Sequence, residues 1–182
     1  MPYLSRAIFA TPPRNLCELL LCDVASLLFT SQFVSRSLLA LRPRCEFSRE
    51  LTATLDSIVA LSNGGEIRLQ LPLAEAGAVL PQVVDASAGT EVADYFTRAP
   101  LAAGPGLLAA EVVANLRLLT QHLELKARLA AEEALLVGQH ALGNALVDWS
   151  ADWHACGHKL RAATVRARAQ AYVADLEEPA VS

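Results

Sequence analysis

Ser57-Ile58-Val59-Ala60-Leu61-Ser62-Asn63-Gly64-Gly65-Glu66-Ile67-Arg68-Leu69-Gln70-Leu71 decides how the rest of the chain is read. Ile58 to Leu61 is a short apolar run and Ser62 to Gly65 a polar turn. From Glu66 onward, Ile67, Leu69 and Leu71 alternate with Glu66, Arg68 and Gln70. Asn-Gly between two such runs is a strong hairpin signal, because both residues tolerate positive φ. Alternation with a period of two places one set of side chains on each face of a strand. A helical stretch through Leu73, Val79, Leu80, Val83 and Val84 follows, then a loop rich in Gly, Ala and Pro. A second helix carries Leu108, Val112, Val113, Leu116, Leu119 and Leu123 at helical spacing. Strand, turn, strand, helix, loop, helix is the pattern of an interaction module.

Ser62-Asn63-Gly64-Gly65-Glu66-Ile67, then Leu73-Ala74-Glu75, Leu80 and Val83-Val84, resembles the opening of the BTB/POZ superfamily, in particular its Skp and elongin C branch of cullin ubiquitin-ligase adaptors. Pro100-Leu101 and the helix around Val112-Val113 are similar to that family's third strand and next helix. Trp149-Ser150-Ala151-Asp152-Trp153 resembles the branch's Trp-Asp-Ala-Glu-Phe segment. Ala169 to Leu176 resembles its Ala-Asn-Tyr-Leu-Asp helix. The resemblance implies a small three-stranded sheet covered by helices, and an adaptor bridging a cullin-type scaffold and a substrate receptor. It also implies a cullin-facing surface at Tyr172, where Ala171 replaces the family's Asn and removes a hydrogen-bonding side chain.

Composition bounds the rest. The chain has 182 residues, long enough for one domain with a sizeable core, or a small domain with a helical extension. Hydrophobic residues make up 53% and charged ones 19%, which is the wrong balance for a disordered chain. A net charge of −4 argues against a nucleic-acid binder, which needs a basic face to displace counterions. The four cysteines, Cys17, Cys22, Cys45 and Cys156, show no framework spacing and read as reduced thiols of an intracellular protein. A cytoplasmic location is expected. The alternative is an organelle such as the mitochondrion, because Met1 to Arg14 carries arginines and no acid.

Pro12-Pro13 ends a leader, and Asn15 with Glu18 forms a capping-box pattern that opens a helix over 15–41. Pro43 stops it, since proline cannot donate the helical bond. Glu18, Asp23, Gln32 and Arg36 interrupt this apolar segment, so it is not read as a membrane span. Leu20, Leu27, Leu28, Val34, Leu38 and Leu41 share its broad apolar face. With the family-like domain complete without this helix, that face is expected to dock onto another protein in a hetero-oligomer. The alternative is that it folds back on the Ala-rich helix of residues 107–137. That helix is expected to break near Gly138, and a last helix is read over 160–176.

Sites for chemistry are weak. His154-Ala155-Cys156-Gly157-His158 has metal-ligand residue types, but no further ligand pattern accompanies it and Cys156 points off the His face. Lys159, Arg161, Arg166 and Arg168 read as a solvated basic face. Glu132-Glu133 and Asp148 lack the spacing of a catalytic pair, Ser62 has no nucleophile context, and Gly64-Gly65 is too short for a phosphate loop. No catalytic residue, metal or cofactor is expected. The reading is therefore an α+β protein, with a helical extension over 1–54, a BTB-like domain over 55–178 and a tail over 179–182. It acts as an adaptor, or as a structural subunit of a larger assembly. Its partner-binding residues are Tyr172, Ala171, Leu20, Leu27, Leu28, Val34 and Leu38.

Overall fold

The computed structural model describes residues 13–45, 47–81 and 105–177. These residues form four long helices and one short 3-10 turn, with no strand among them: α1 Leu16–Leu41, the turn Arg42–Arg44, α2 Arg49–Glu75, α3 Pro105–Leu136 and α4 His140–Glu177. The α+β expectation is therefore wrong, and the protein is a helical bundle.

The hairpin segment is the centre of the error, because Ile58 to Leu71 lies inside α2. Two periodicities compete there. Leu51, Leu55, Ile58, Ser62, Gly65, Leu69 and Leu73 recur at three- and four-residue steps, and all seven are buried. The alternating set does not share a face: Leu69 is fully buried, whereas Ile67 and Leu71 are 77% and 66% exposed. The longer helical pattern buries more apolar surface against neighbours than a lone hairpin could, so it wins. The boundary expected at residues 54/55 also falls inside α2, and one continuous core runs from Leu20 in α1 to Leu160 in α4.

Gly65 sits in this helix for a reason of space. A Cβ there would lie 2.5 Å from Cζ2 of Trp149, whereas one at Gly64 would meet nothing within 4 Å. Trp149 and Trp153, one turn apart on α4, are both fully buried and form a tilted ring pair with centroids 6.3 Å apart. Trp149 and Trp153 are thus core positions, with the indoles filling the middle of the bundle, while Ala151 and Asp152 between them are exposed.

The helix ends follow local chemistry. Asn15 Oδ1 accepts from the Glu18 backbone N–H at 2.9 Å and opens α1 as expected. Ser48 caps α2 by accepting from the Leu51 N–H. Gly77 and Gly138 take φ of 59° and 78° and close α2 and α3. Around each, the backbone N–H groups bond back in the Schellman pattern: Gly77 to Ala74 O and Ala78 to Leu73 O, then Gly138 to Leu135 O and Gln139 to Ala134 O. Of the helical stretch expected through Leu73, Val79, Leu80, Val83 and Val84, only Leu73 is helical among the described residues, since α2 ends at Glu75 and Gly77 closes it. Val83, Val84, Pro100 and Leu101, the leader before Pro13 and the tail after Leu176 lie largely or wholly outside the described residues.

Cross-helix contacts give the topology. Ser31 Oγ donates to Ser62 O and Arg42 pairs with Asp56, so α1 and α2 are antiparallel. Arg68 pairs with Asp152 and Arg166 with Glu50, so α2 and α4 are antiparallel. Lys126 Nζ donates to Ser26 Oγ, while Asp23 acts electrostatically on Glu133, so α1 and α3 are antiparallel too. Ser150 Oγ donates to Glu124 O across the most extensive interface, that of α3 and α4. The result is up, down, down, up, with α2 and α3 parallel on a diagonal. Their connected ends lie at opposite ends of the bundle, as in bundles with one long crossover.

Candidate functional site

The residues expected to bind a partner divide between core and surface. Leu20, Leu27, Leu28, Val34 and Leu38 are 6% exposed or less and are covered by α2, α3 and α4 of the same chain. The face of α1 expected to await another protein is filled from within, the fold-back alternative being the one realised. α1 is long and apolar enough to cross a membrane by length and composition alone, and 56% of its most apolar window is buried in the bundle. Tyr172 is 67% exposed near the end of α4, beside Ala171 in the same helix.

The His-Cys-His cluster is not assembled. His154 Nδ1 lies 2.9 Å from Glu124 Oε1 on the surface, Cys156 is buried, and His158 is exposed. No group of three metal-ligating side chains comes together among the described residues. In the basic stripe, Arg166 forms a bidentate pair with Glu50, both bonds 2.9 Å. Glu132 pairs with Arg128 one turn away. A shallow groove of about 480 Å³ between α2 and α4 is lined by Arg68, Ala145, Asp148, Ala151 and Asp152. Arg68 Nη2 pairs with Asp152 Oδ2 at 2.6 Å, while Nη1 is buried with no hydrogen-bond partner among the described residues, and no Ser, Thr or Cys lines the groove.

Two features were missed from the sequence. The first is a half-buried polar seam between α1 and α3, formed by Asp23, Ser26, His122, Lys126 and Glu133. Burial, reinforced by the Lys126 charge, lowers the His122 imidazole to about 4, so it is neutral at pH 7. Burial also lowers the Lys126 ammonium, against the opposing pull of Asp23. Burial and the Asp23 charge raise the Glu133 carboxyl. The seam is a set of groups held mostly by desolvation. It brings the Lys126 amine to 3.0 Å from the Ser26 hydroxyl, which is buried at 3% exposure where α1 meets α3.

The second feature is a column of leucines on the outside of α3. Leu118, Leu125, Leu129 and Leu136 are 55%, 53%, 49% and 78% exposed. At 100° per residue they fall within a band of about 40°. The core side of the same helix carries Leu116, Leu123, Ala127, Ala130 and Ala134, all buried, on the opposite face. Single exposed leucines are ordinary, but four of them on one ridge, spread over about five turns with Gln121, His122, Glu132 and Glu133 beside the gaps, form an apolar stripe of the kind that marks an interaction site. The seven-four-seven spacing was visible in the sequence, hidden behind the stronger core periodicity of the same helix.

Compared with known proteins, the chain matches no family model, no curated protein and no solved structure.

Proposed function

We propose that this chain is a non-catalytic protein–protein interaction module that docks through the outer leucine face of α3. The carrying observation is the alignment of Leu118, Leu125, Leu129 and Leu136 away from a core that is complete without them. Of the two roles expected from the sequence, the structural subunit of a larger assembly is favoured over the cullin adaptor. The adaptor reading leaned on strands at Ile58 to Leu71, and that segment is helix.

Replacing Leu125 and Leu129 together with Gln tests this reading. Proteins captured from an extract by the native chain should be lost by the double variant, with its helix content unchanged. An identical set captured by both would overturn it.

A further inference from the structure

Lys126 is an uncommon choice in this chain. Of its 15 lysines and arginines only Lys126 and Lys159 are lysines, and Lys159 stands exposed on α4. Lys126 instead turns from α3 into the seam with α1, where its Nζ donates to the Ser26 hydroxyl at 3.0 Å. Ser26 is 3% exposed, so the amine is held against a neutral oxygen inside the interface. An arginine here would stay charged, whereas a lysine amine withdrawn from water can lose its proton and become a nucleophile.

The surroundings favour the free amine. Burial lowers the Lys126 ammonium, and Asp23 opposes that fall as the smaller influence. One turn before Lys126 on α3 stands His122, neutral at pH 7, and three residues after it stands Leu129, 49% exposed. Residues three and four apart on a helix are neighbours, so the amine lies between an uncharged imidazole and an apolar side chain. Glu133, two turns further on, is itself pushed toward its neutral acid. The approach to Nζ along this face of α3 is therefore uncharged, which suits an aliphatic carbonyl compound better than an ionic one.

We infer that Lys126 is a covalent capture site for aliphatic aldehydes, which its amine binds as an imine with Ser26 relaying the proton. The Nζ–carbon bond forms as the carbonyl π bond opens onto its oxygen. Ser26 Oγ, already the acceptor from Nζ, takes a proton from the nitrogen and gives its own to that oxygen. The carbinolamine then loses water: the C–O bond breaks, C=N forms, and the two hydrogens of the water balance the two lost by the amine. No oxidant or reductant is needed. The site lies in the α1–α3 seam and does not depend on the docking role of the outer leucines.

The test treats the native full chain with butanal and sodium cyanoborohydride at pH 7. The hydride traps the imine as a secondary amine, and peptide mass mapping reads each lysine. Lys159 of the same molecule is the internal control, so the comparison needs no variant. Lys126 should be alkylated several-fold faster than Lys159. Ser26→Ala should slow Lys126 several-fold and leave Lys159 unchanged, with helix content as in the native chain. Equal or faster modification of Lys159 overturns the inference. So does an unchanged rate at Lys126 in a folded Ser26→Ala chain, which would show ordinary amine reactivity with no relay.

Discussion

Trp149 lies against Gly65 so closely that no side chain larger than hydrogen fits between the two helices: an added Cβ would stand 2.5 Å from Cζ2 and 2.7 Å from Cη2 of the indole. Leu28 of α1 closes the same spot at 3.1 Å, so three helices meet at one missing methyl group. This contact turns a glycine pair that looks like a turn into two positions with opposite requirements.

Gly65→Ala should therefore destabilise the protein by about 1–3 kcal/mol, the usual cost of overpacking a rigid core. Gly64→Ala, with open space around its Cβ, should stabilise it by roughly 0.5–1 kcal/mol through helix propensity. Denaturant unfolding of the two variants checks the pair. A hairpin turn would reverse the second result, because alanine is strained at positive φ.

Ser62 is 1% exposed, and its hydroxyl has no hydrogen-bond partner among the described residues, although its carbonyl accepts from Ser31. A buried polar group without a partner costs about 1–3 kcal/mol, and serine is the weaker helix former. Ser62→Ala should raise stability by about 1 kcal/mol in urea unfolding, and a loss of stability would contradict the assignment.

His122 should titrate near 4 by NMR, well below the ordinary 6.5. Folding then favours the neutral ring, and the unfolded chain binds the proton more readily. Its contribution to stability is complete above about 6.5 and is lost as pH falls toward 4. Glu133, raised in the fold, works in the opposite sense, gaining stability as pH falls through its own range. The difference in stability between the native chain and His122→Gln isolates the histidine. That difference should be flat above pH 7 and should change between 6.5 and 4. A titration midpoint near 6.5 would contradict the buried seam.

Local chemistry made much of the bundle legible. Asn15 and Pro43 bound α1 in sequence as in structure, and Gly138 ends α3 because a left-handed residue is needed there. α2 was misread because Asn63-Gly64-Gly65 is a strong local turn signal, while the reason for glycine at 65 is a tryptophan far along the chain. The start of α4 at His140 was missed for a related reason. Trp149 and Trp153 were read as a family motif, not as two core positions one turn apart. The α1 leucines were correctly grouped on one face, but which helices cover a face is a tertiary fact that spacing does not carry. The outer column of α3 needed only a second count of the same helix.

On the proposed function, the leucines outside α3 serve association and not folding. Circular dichroism, thermal unfolding and sedimentation of a chain with Leu118, Leu125, Leu129 and Leu136 all changed to Gln test it most directly. Each change lies outside the core and should alter stability by no more than about 0.5 kcal/mol. Full helix content, a melting temperature close to that of the native chain, and loss of association are expected. An unfolded variant would show that these leucines are core, and an associated one would show that another face holds the assembly together.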